Sequence, residues 1–419
     1  MDGFGFRLAF LGIFTLSLGV EWLLNSLNYR EAKRHTTPPA KLAGIADAFD
    51  PETFAKSRDY TLERLSFDSF SLMFAAVLTL IILFSGALPW LDGTLFRFFG
   101  NGLHHDVIFL TVLTMALSLL KLPFSVYSTF RIEGRYGFNT MTWNLFWRDS
   151  AKQLILSLLL GIPLLYALFF FLRNAGPSWW LWTFGLIFAF QIVMMVIYPS
   201  LIAPFFNRFQ PLGEGELKTA ILGMARRLRF SSADIYVMDG SRRSLHSNAY
   251  FTGLGKWRRI VLFDTLLRQM EQQELLSVLA HEIGHYKRRH IYKRMVAQIF
   301  ILGALLYLAS LALIWTPLYT AFGFNTATPG PAVGIFLFFI VFSSSSILFA
   351  PFGNWISRRQ QYEADAFAVA ACGDREAMAQ ALIKLSKKNL SNLTPHPWYS
   401  AFYYSHPTLP ERLQALSVT

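Results

Sequence analysis

The chain has 419 residues, of which 53% are hydrophobic, 16% aromatic and only 15% charged. Soluble domains carry about 25% charged residues, so this composition excludes an ordinary soluble protein and favours a polytopic membrane protein. The net charge of +12 does not indicate a nucleic-acid partner, because basic loops beside membrane spans account for it. The single cysteine, Cys372, excludes a disulfide within the chain.

Seven apolar runs approach or exceed the about 20 residues that a helix needs to cross about 30 Å of hydrocarbon. In chain order they are Phe4–Leu27, Phe70–Leu91, Asp106–Phe130, Leu154–Leu172, Trp179–Pro204, Met295–Leu318 and Ala332–Pro351. Any one of them could be a buried helix of a soluble protein, but together they predict seven transmembrane helices. We expect the first run to be a span rather than a cleaved leader, because no clear small-residue cleavage site follows it.

Basic residues are concentrated on one side of these spans. That side carries segments 28–66 and 131–152, both predicted to be polar connections, the segment between spans five and six, and the C-terminal segment. Basic loops stay in the cytoplasm. We therefore predict five spans in 1–204, an extramembrane domain in 205–294, two spans in 295–351 and a C-terminal domain in 352–419, with both domains cytoplasmic.

The extramembrane segment has the pattern of a small α+β domain. Glu214–Leu228 has the apolar spacing of an amphipathic helix. Three short strands are predicted at Asp234–Asp239, Ala249–Thr252 and Arg258–Phe263, with Gly253-Leu254-Gly255 between the last two. We interpret Asn248, Ala249 and Tyr250 as a strand edge to which an extended substrate adds by main-chain hydrogen bonds. An ordinary internal strand is the alternative.

The stretch Glu274–His290 is predicted to be one helix and contains His281-Glu282-Ile283-Gly284-His285, an H-E-x-x-H sequence. Residues four apart share a helical face, with Cβ atoms about 5–6 Å apart, so the two imidazoles could bind one Zn²⁺. Glu282 lies about 100° further round, where it suits a general base that takes a proton from water. The spacing predicts a hydrolase with one zinc ion per chain. His290 falls about 180° from His281 on such a helix and is predicted not to join the site.

Further motifs are spread along nearly the whole chain. They are Glu52–Tyr60, Tyr136–Asn139, Tyr198-Pro199, Ile202–Pro204, His246–Phe251, Arg259–Leu267, Ser405–Pro407 and Glu411–Leu413. With these motifs the sequence resembles the integral-membrane CAAX prenyl endopeptidases of the yeast a-factor-converting type, which are zinc metalloproteases. The resemblance implies an all-α polytopic membrane protein whose seven helices enclose a chamber, with a small zincin-like α+β catalytic domain. It also implies prenylated or membrane-associated substrates, cleaved near a C-terminal prenylated cysteine.

The resemblance assigns roles to particular residues. It implies that His281 and His285 bind zinc, that Glu282 activates water, that His406 stabilises the oxyanion or orients the substrate, and that Asn248, Ala249 and Tyr250 pair with the substrate. Asp365 and Arg412 are expected to support the ligands from outside. The family's third ligand is a glutamate, and this sequence has Gln361 in that position.

The nearest acid to that position is Glu363. Gln361 and Asp365 are four residues apart and share a helical face, whereas Glu363 lies about 200° from either. Since the family places its aspartate next to the zinc ligands, the resemblance implies Gln361 as the third ligand, although a neutral amide binds Zn²⁺ more weakly than a carboxylate. Two alternatives stay open: a quality-control protease for membrane proteins that uses the same site, and a catalytically impaired variant or silent scaffold.

Overall fold

The structure, a computed structural model, describes residues 1–38, 48–230, 234–252, 259–324 and 329–418. The helices before the small domain are α1 (Gly3–Arg34), α2 (Pro51–Phe84), α3 (Ala87–Phe99), α4 (Leu103–Val126), α5 (Trp143–Asn174) and α6 (Trp179–Ile197). The helices of the small domain are α7 (Glu216–Arg227), α8 (Asp264–Gln269) and α9 (Gln272–Lys287). The remaining helices are α10 (His290–Ala312), α11 (Thr316–Thr320), α12 (Pro331–Ser343), α13 (Ala350–Cys372), α14 (Arg375–Lys388), α15 (Pro397–Tyr403) and α16 (Leu409–Val418).

Six helical stretches of the described chain are long and apolar enough to cross a membrane. They are Gly3–Arg34, Pro51–Phe84, Leu103–Tyr136, Trp143–Asn174, Gly176–Phe206 and His290–Ala312. The predicted seventh span corresponds to α12 and the helical stretch Ser346–Cys372, which pass the same test together and are bent by 50°. The predicted class, a polytopic helical membrane protein with a small α+β domain, is confirmed.

Several predicted boundaries are wrong because helices extend beyond their apolar runs. Most of the predicted polar connection 28–66 is helical: α1 continues to Arg34, and α2 begins at Pro51, where the Asp50 carboxylate accepts a hydrogen bond from the Thr53 amide at 2.7 Å. The second predicted span ends early, since Gly86 has a φ of 82° and separates α2 from α3. An Asp-Pro pair at a helix start is a capping signal that outweighs polarity.

The predicted polar connection 131–152 is also mostly helical. The chain after α4 forms a π-helical segment, Tyr127–Glu133, and a last turn that ends at Gly137 with a φ of 82°. The Glu133 carboxylate accepts hydrogen bonds from the Tyr60 hydroxyl at 2.7 Å and from Arg64 at 3.1 Å, and it lies 3.2 Å from the His246 ring. This carboxylate therefore joins two membrane helices to the segment that leads into the sheet.

The small domain contains one four-stranded sheet in the described chain. Its strands are β1 (Phe209–Pro211), β2 (Asp234–Met238), β3 (Ala249–Thr252) and β4 (Arg259–Phe263), in the order β1-β2-β4-β3. β3 is thus an edge strand, antiparallel to β4. The three predicted strands are present, β1 was missed, and Arg258 and the predicted turn Gly253-Leu254-Gly255 lie outside the described residues.

Helix α9 begins with a capping box in which Glu271 and Glu274 each accept a hydrogen bond from the other's backbone. Most of the helix is buried, so that it runs through the core of the small domain. The prediction of one helix to His290 is wrong: α9 ends at Lys287, and Arg289 takes a left-handed φ of 58° before α10 begins. His290 is therefore the first residue of a new helix.

The site is positioned by the packing of α9 against α13. A Cβ atom added at Gly284 would lie 3.2 Å from the Ala364 backbone and 3.1 Å from the Phe367 ring. Ala364 is fully buried. Because backbone atoms on the facing helix cannot move aside easily, only glycine at this position lets the two helices approach so closely.

We expect Gly284→Ala to separate α9 from α13 and to destabilise the protein by about 1–3 kcal/mol through overpacking. The measurement is the thermal unfolding temperature of the purified full chain. Gly223→Ala is the matched control: Gly223 is exposed within α7, and an added Cβ meets nothing within 4 Å. This control should leave stability unchanged or raise it by up to about 1 kcal/mol. Equal unfolding temperatures for both variants would contradict the packing argument.

Candidate metal centre

Two imidazole nitrogens converge on one point at the end of α9. The Nε2 atoms of His281 and His285 lie 3.2 Å apart, with the two ring planes at 81°. Two nitrogens that bind one Zn²⁺ tetrahedrally at about 2.0–2.1 Å are separated by about 3.3 Å. The helical spacing of four residues therefore places both nitrogens as a shared metal ion requires.

The outer nitrogen of His281 is held by a buried carboxylate. Nδ1 of His281 lies 2.7 Å from Oδ1 of Asp365, which is 2% exposed. Arg412 donates two further hydrogen bonds to Asp365, from Nε at 2.8 Å and from Nη2 at 2.6 Å. Because a carboxylate only accepts, Nδ1 of His281 carries the proton and Nε2 keeps its electron pair.

Gln361 lies one turn before Asp365 on α13, and the two side chains are both buried. Oε1 of Gln361 accepts no hydrogen bond from any described residue. Leaving a buried polar atom unpaired costs about 1–3 kcal/mol, and a cation would remove that cost. The residues therefore fit a metal ion held by two imidazoles and one amide oxygen. Within the described residues, no group of three His, Cys, Asp or Glu side chains could hold a metal.

Two neighbouring groups have protonation states that suit this chemistry. Burial raises the pKa of the half-buried Glu282 carboxyl, which makes it a better proton acceptor than an exposed carboxylate. Burial and the neighbouring His281 lower the pKa of His285 to about 3. The His285 ring is thus neutral at pH 7, the form that binds metals.

A cavity of ≈ 420 Å³ opens beside these groups. It is lined by His281, Glu282, His285, Gln361, His406, Arg294, Tyr198, Met194, Met195 and the β3 residues Tyr250, Phe251 and Thr252, among others. The edge strand therefore borders the same space as the two imidazoles. His406 is exposed and also lines a second cavity, of ≈ 510 Å³, on its other side.

The three predicted strand residues differ in their surroundings. Tyr250 lines the cavity. Ala249 is buried in the core of the small domain, and the Asn248 carbonyl accepts a hydrogen bond from the Phe263 amide at 3.1 Å. Of the predicted set, Tyr250 alone thus borders the cavity, together with Phe251 and Thr252, which sequence reasoning did not select.

His290 was predicted to lie away from the site, and that prediction is wrong. Its Nδ1 atom lies 2.9 Å from Nδ1 of His285, and its Nε2 atom lies 3.1 Å from Oε2 of Glu363. The error follows from the helix break at Arg289, which no glycine or proline signals. Arg294 of α10 was also missed; it lines the cavity and donates a hydrogen bond to Oε1 of Gln360 at 2.8 Å.

A paired-imidazole centre with an adjacent carboxylate, set among membrane-spanning helices, defines an integral-membrane metallopeptidase. Comparisons with known proteins agree. Residues 28–208 match the family described as CAAX prenyl protease N-terminal, five membrane helices, and residues 211–419 match peptidase family M48. The chain belongs to the CAAX prenyl protease family of M48 metallopeptidases.

Relatives resemble the chain over nearly its full length. A CAAX prenyl protease 1 homolog from Arabidopsis thaliana is 38% identical over 391 residues, which cover 91% of this chain and 90% of the relative. CAAX prenyl protease 1 from Saccharomyces cerevisiae is 35% identical over 435 residues, covering 98% and 95%. A crystal structure of S. mikatae Ste24p superposes with a TM-score of 0.91 and 33% identity over 98% of both chains. The chain is therefore a membrane metalloendopeptidase, and its family uses a metal cofactor.

We expect Gln361→Glu to tighten zinc binding by about tenfold or more, since a carboxylate replaces a neutral amide in the cavity that the two imidazoles also line; tenfold corresponds to about 1.4 kcal/mol. The measurement is the zinc dissociation constant of the purified chain, from competition with a chelating dye. Gln360→Glu is the matched control, because it adds the same charge one residue away, beside Arg294. An equal change in both variants would mean that Gln361 does not face the metal.

Proposed function

We propose that the chain is a zinc endopeptidase that cleaves peptide bonds near the C-terminus of prenylated CAAX proteins or peptides. The observation that carries the proposal is the convergence of His281 Nε2 and His285 Nε2 at 3.2 Å in a cavity bordered by an edge strand. The names of the relatives, CAAX prenyl protease 1 and its homologs, support the substrate class.

His281, His285 and Gln361 would hold the zinc ion. A zinc ion held there would supply Lewis-acid polarisation of the scissile carbonyl and would lower the pKa of a bound water towards about 7. Glu282 takes the proton of the attacking water and passes it to the leaving amine nitrogen. His406, on the cavity wall, donates a hydrogen bond to the developing oxyanion, a contribution of about 2.7–4 kcal/mol in comparable sites. Asp365 and Arg412 hold His281 in orientation.

The cavity accommodates both parts of a lipidated peptide. An extended peptide adds to the free edge of β3 by main-chain hydrogen bonds and so runs past the imidazoles. Apolar and aromatic side chains of the membrane helices, including Met194, Met195 and Ile291, also line the cavity. A prenyl chain packed there gains about 0.8 kcal/mol for each buried CH₂ group.

We also propose that the catalytic end of the protein faces the cytoplasm. The C-terminal end of α1 lies at this end, since the Asn28 side chain accepts a hydrogen bond from the His396 amide at 3.0 Å. The basic residues of the helix ends and connections on this side are Arg30, Lys33, Arg34, Lys56, Arg58, Arg64, Arg131, Arg135, Arg148 and Lys152. The positive-inside rule assigns such an end to the cytoplasm.

We expect Glu282→Gln to lower the turnover of a prenylated peptide by about 10²–10⁴-fold, the usual contribution of a general base. The amide keeps the size of the side chain but cannot take up a proton. Zinc content, measured by elemental analysis of the same sample, should stay at one ion per chain. Unchanged turnover would remove Glu282 from the mechanism.

We expect a farnesylated peptide to be cleaved with a much lower KM than the same peptide carrying a free thiol, because only the former has a chain to bury. Both kinetic constants should be measured on the purified chain in lipid. Equal KM and kcat for the two peptides would indicate a protease that recognises unlipidated membrane proteins instead.

A further inference from the structure

The metal-facing histidines are each backed by a carboxylate, but in different ways. Asp365 touches His281 directly. Glu363 reaches His285 only through His290, in a chain of contacts of 3.1 Å and 2.9 Å. We propose that Glu363 and His290 are positioning residues that set the tautomer of His285, leaving its Nε2 electron pair free for the metal. This inference rests on the zinc site proposed above.

The argument starts at the carboxylate of Glu363. A carboxylate only accepts hydrogen bonds, so Nε2 of His290 must carry a proton to pair with it. A neutral imidazole has one proton on its two nitrogens, which leaves Nδ1 of His290 as an acceptor. The His285 nitrogen 2.9 Å from it, Nδ1, must then be the donor. The single proton of His285 is thus on Nδ1, and its Nε2 points an electron pair at the site.

Without the carboxylate the opposite arrangement would be favoured in the metal-free protein. Nε2 of His285 lies 3.2 Å from Nε2 of His281, whose electron pair is fixed by Asp365. A proton on Nε2 of His285 would bond the two rings to each other and close the site. That tautomer requires Nδ1 of His290 to donate and Nε2 of His290 to turn an electron pair towards Glu363. Repulsion between that electron pair and the carboxylate therefore disfavours the closed form.

The negative charge of Glu363 provides a second way in which this residue affects zinc affinity. The three side chains that face the proposed zinc ion, His281, His285 and Gln361, bring no formal charge. Charge on an outer carboxylate strengthens a ligating imidazole, and loss of such a partner typically costs 10–100-fold in metal affinity. Glu363 is suited to testing, because its side chain is 34% exposed and its other partner is the exposed Arg359, at 3.4 Å.

The first experiment determines the tautomer of His285 directly. The full chain with ¹⁵N-labelled histidine is prepared metal-free in lipid at about pH 8, where neutral imidazoles predominate. The His285 signal is assigned from a His285→Gln sample. We expect the proton on Nδ1 of His285 in the unmodified chain, and a population with the proton on Nε2 in Glu363→Met. A His285 proton that stays on Nδ1 in Glu363→Met would overturn the proposal.

The second experiment measures the zinc dissociation constant by competition with a chelating dye. We expect a loss of affinity of about 10–100-fold for Glu363→Met and a smaller loss for Glu363→Gln, because the amide oxygen can still accept from His290. Arg359→Gln is the matched control: it changes the charge beside Glu363 but leaves the contact with His290, and it should bind zinc as the unmodified chain does.

The outcomes separate positioning from other effects. Equal losses in Glu363→Gln and Glu363→Met would mean that only the charge acts, and would overturn the positioning role. Thermal unfolding of each variant identifies a loss caused by misfolding, and Glu363→Gln, which keeps the side-chain size, then decides the question. If the unmodified chain binds no zinc, the proposed function fails, while the tautomer measurement on metal-free protein still decides the role of Glu363.

Discussion

The close approach of α9 to α13 across Gly284 is the constraint on which the site depends. Helix α9 by itself supplies two imidazoles and one carboxylate, the two ligands and the general base of the proposed mechanism. The third group, Gln361, and the partner of His281, Asp365, both come from α13. With the Ala364 backbone 3.2 Å from the place of a Cβ at position 284, one extra carbon requires the facing helix, which carries Gln361 and Asp365, to shift.

Two formal negative charges of the site lie outside the three neutral side chains His281, His285 and Gln361. The proposed ligand side chains are neutral, and the carboxylates lie behind the imidazoles: Asp365 behind His281, and Glu363 behind His290 and His285. Arg412 neutralises the buried Asp365 with two short hydrogen bonds, so that this charge does not stand unpaired in the interior. Glu363, at the more exposed end, needs less compensation and contacts Arg359. Each carboxylate contacts a histidine ring, Asp365 that of His281 and Glu363 that of His290.

The membrane helices do more than anchor the small domain. Glu133, at the end of the long span that begins with α4, binds Tyr60 and Arg64 of α2 and His246 before β3. The His246 ring also stacks on Phe138, with centroids 3.9 Å apart. The edge strand that borders the cavity is thereby fixed to the membrane part of the protein. A peptide bound along β3, as proposed, would lie in a position set jointly by both parts, which suits a substrate that is itself held in the bilayer.

The sequence by itself determined the class of this protein, because apolar length and the H-E-x-x-H spacing are local properties that a helix turns directly into geometry. The spans, three of the four strands, the convergence of His281 and His285, and the shared face of Gln361 and Asp365 all follow from periodicity. The ends of helices in polar segments do not follow from periodicity. The cap at Asp50 and the left-handed backbone at Arg289 depend on the contacts of a few atoms. Only the tertiary structure decided the place of His290, which the turn at Arg289 brings back against His285. It also placed Glu363 in contact with His290 of α10, which in turn contacts Nδ1 of His285, the ring nitrogen that points away from His281.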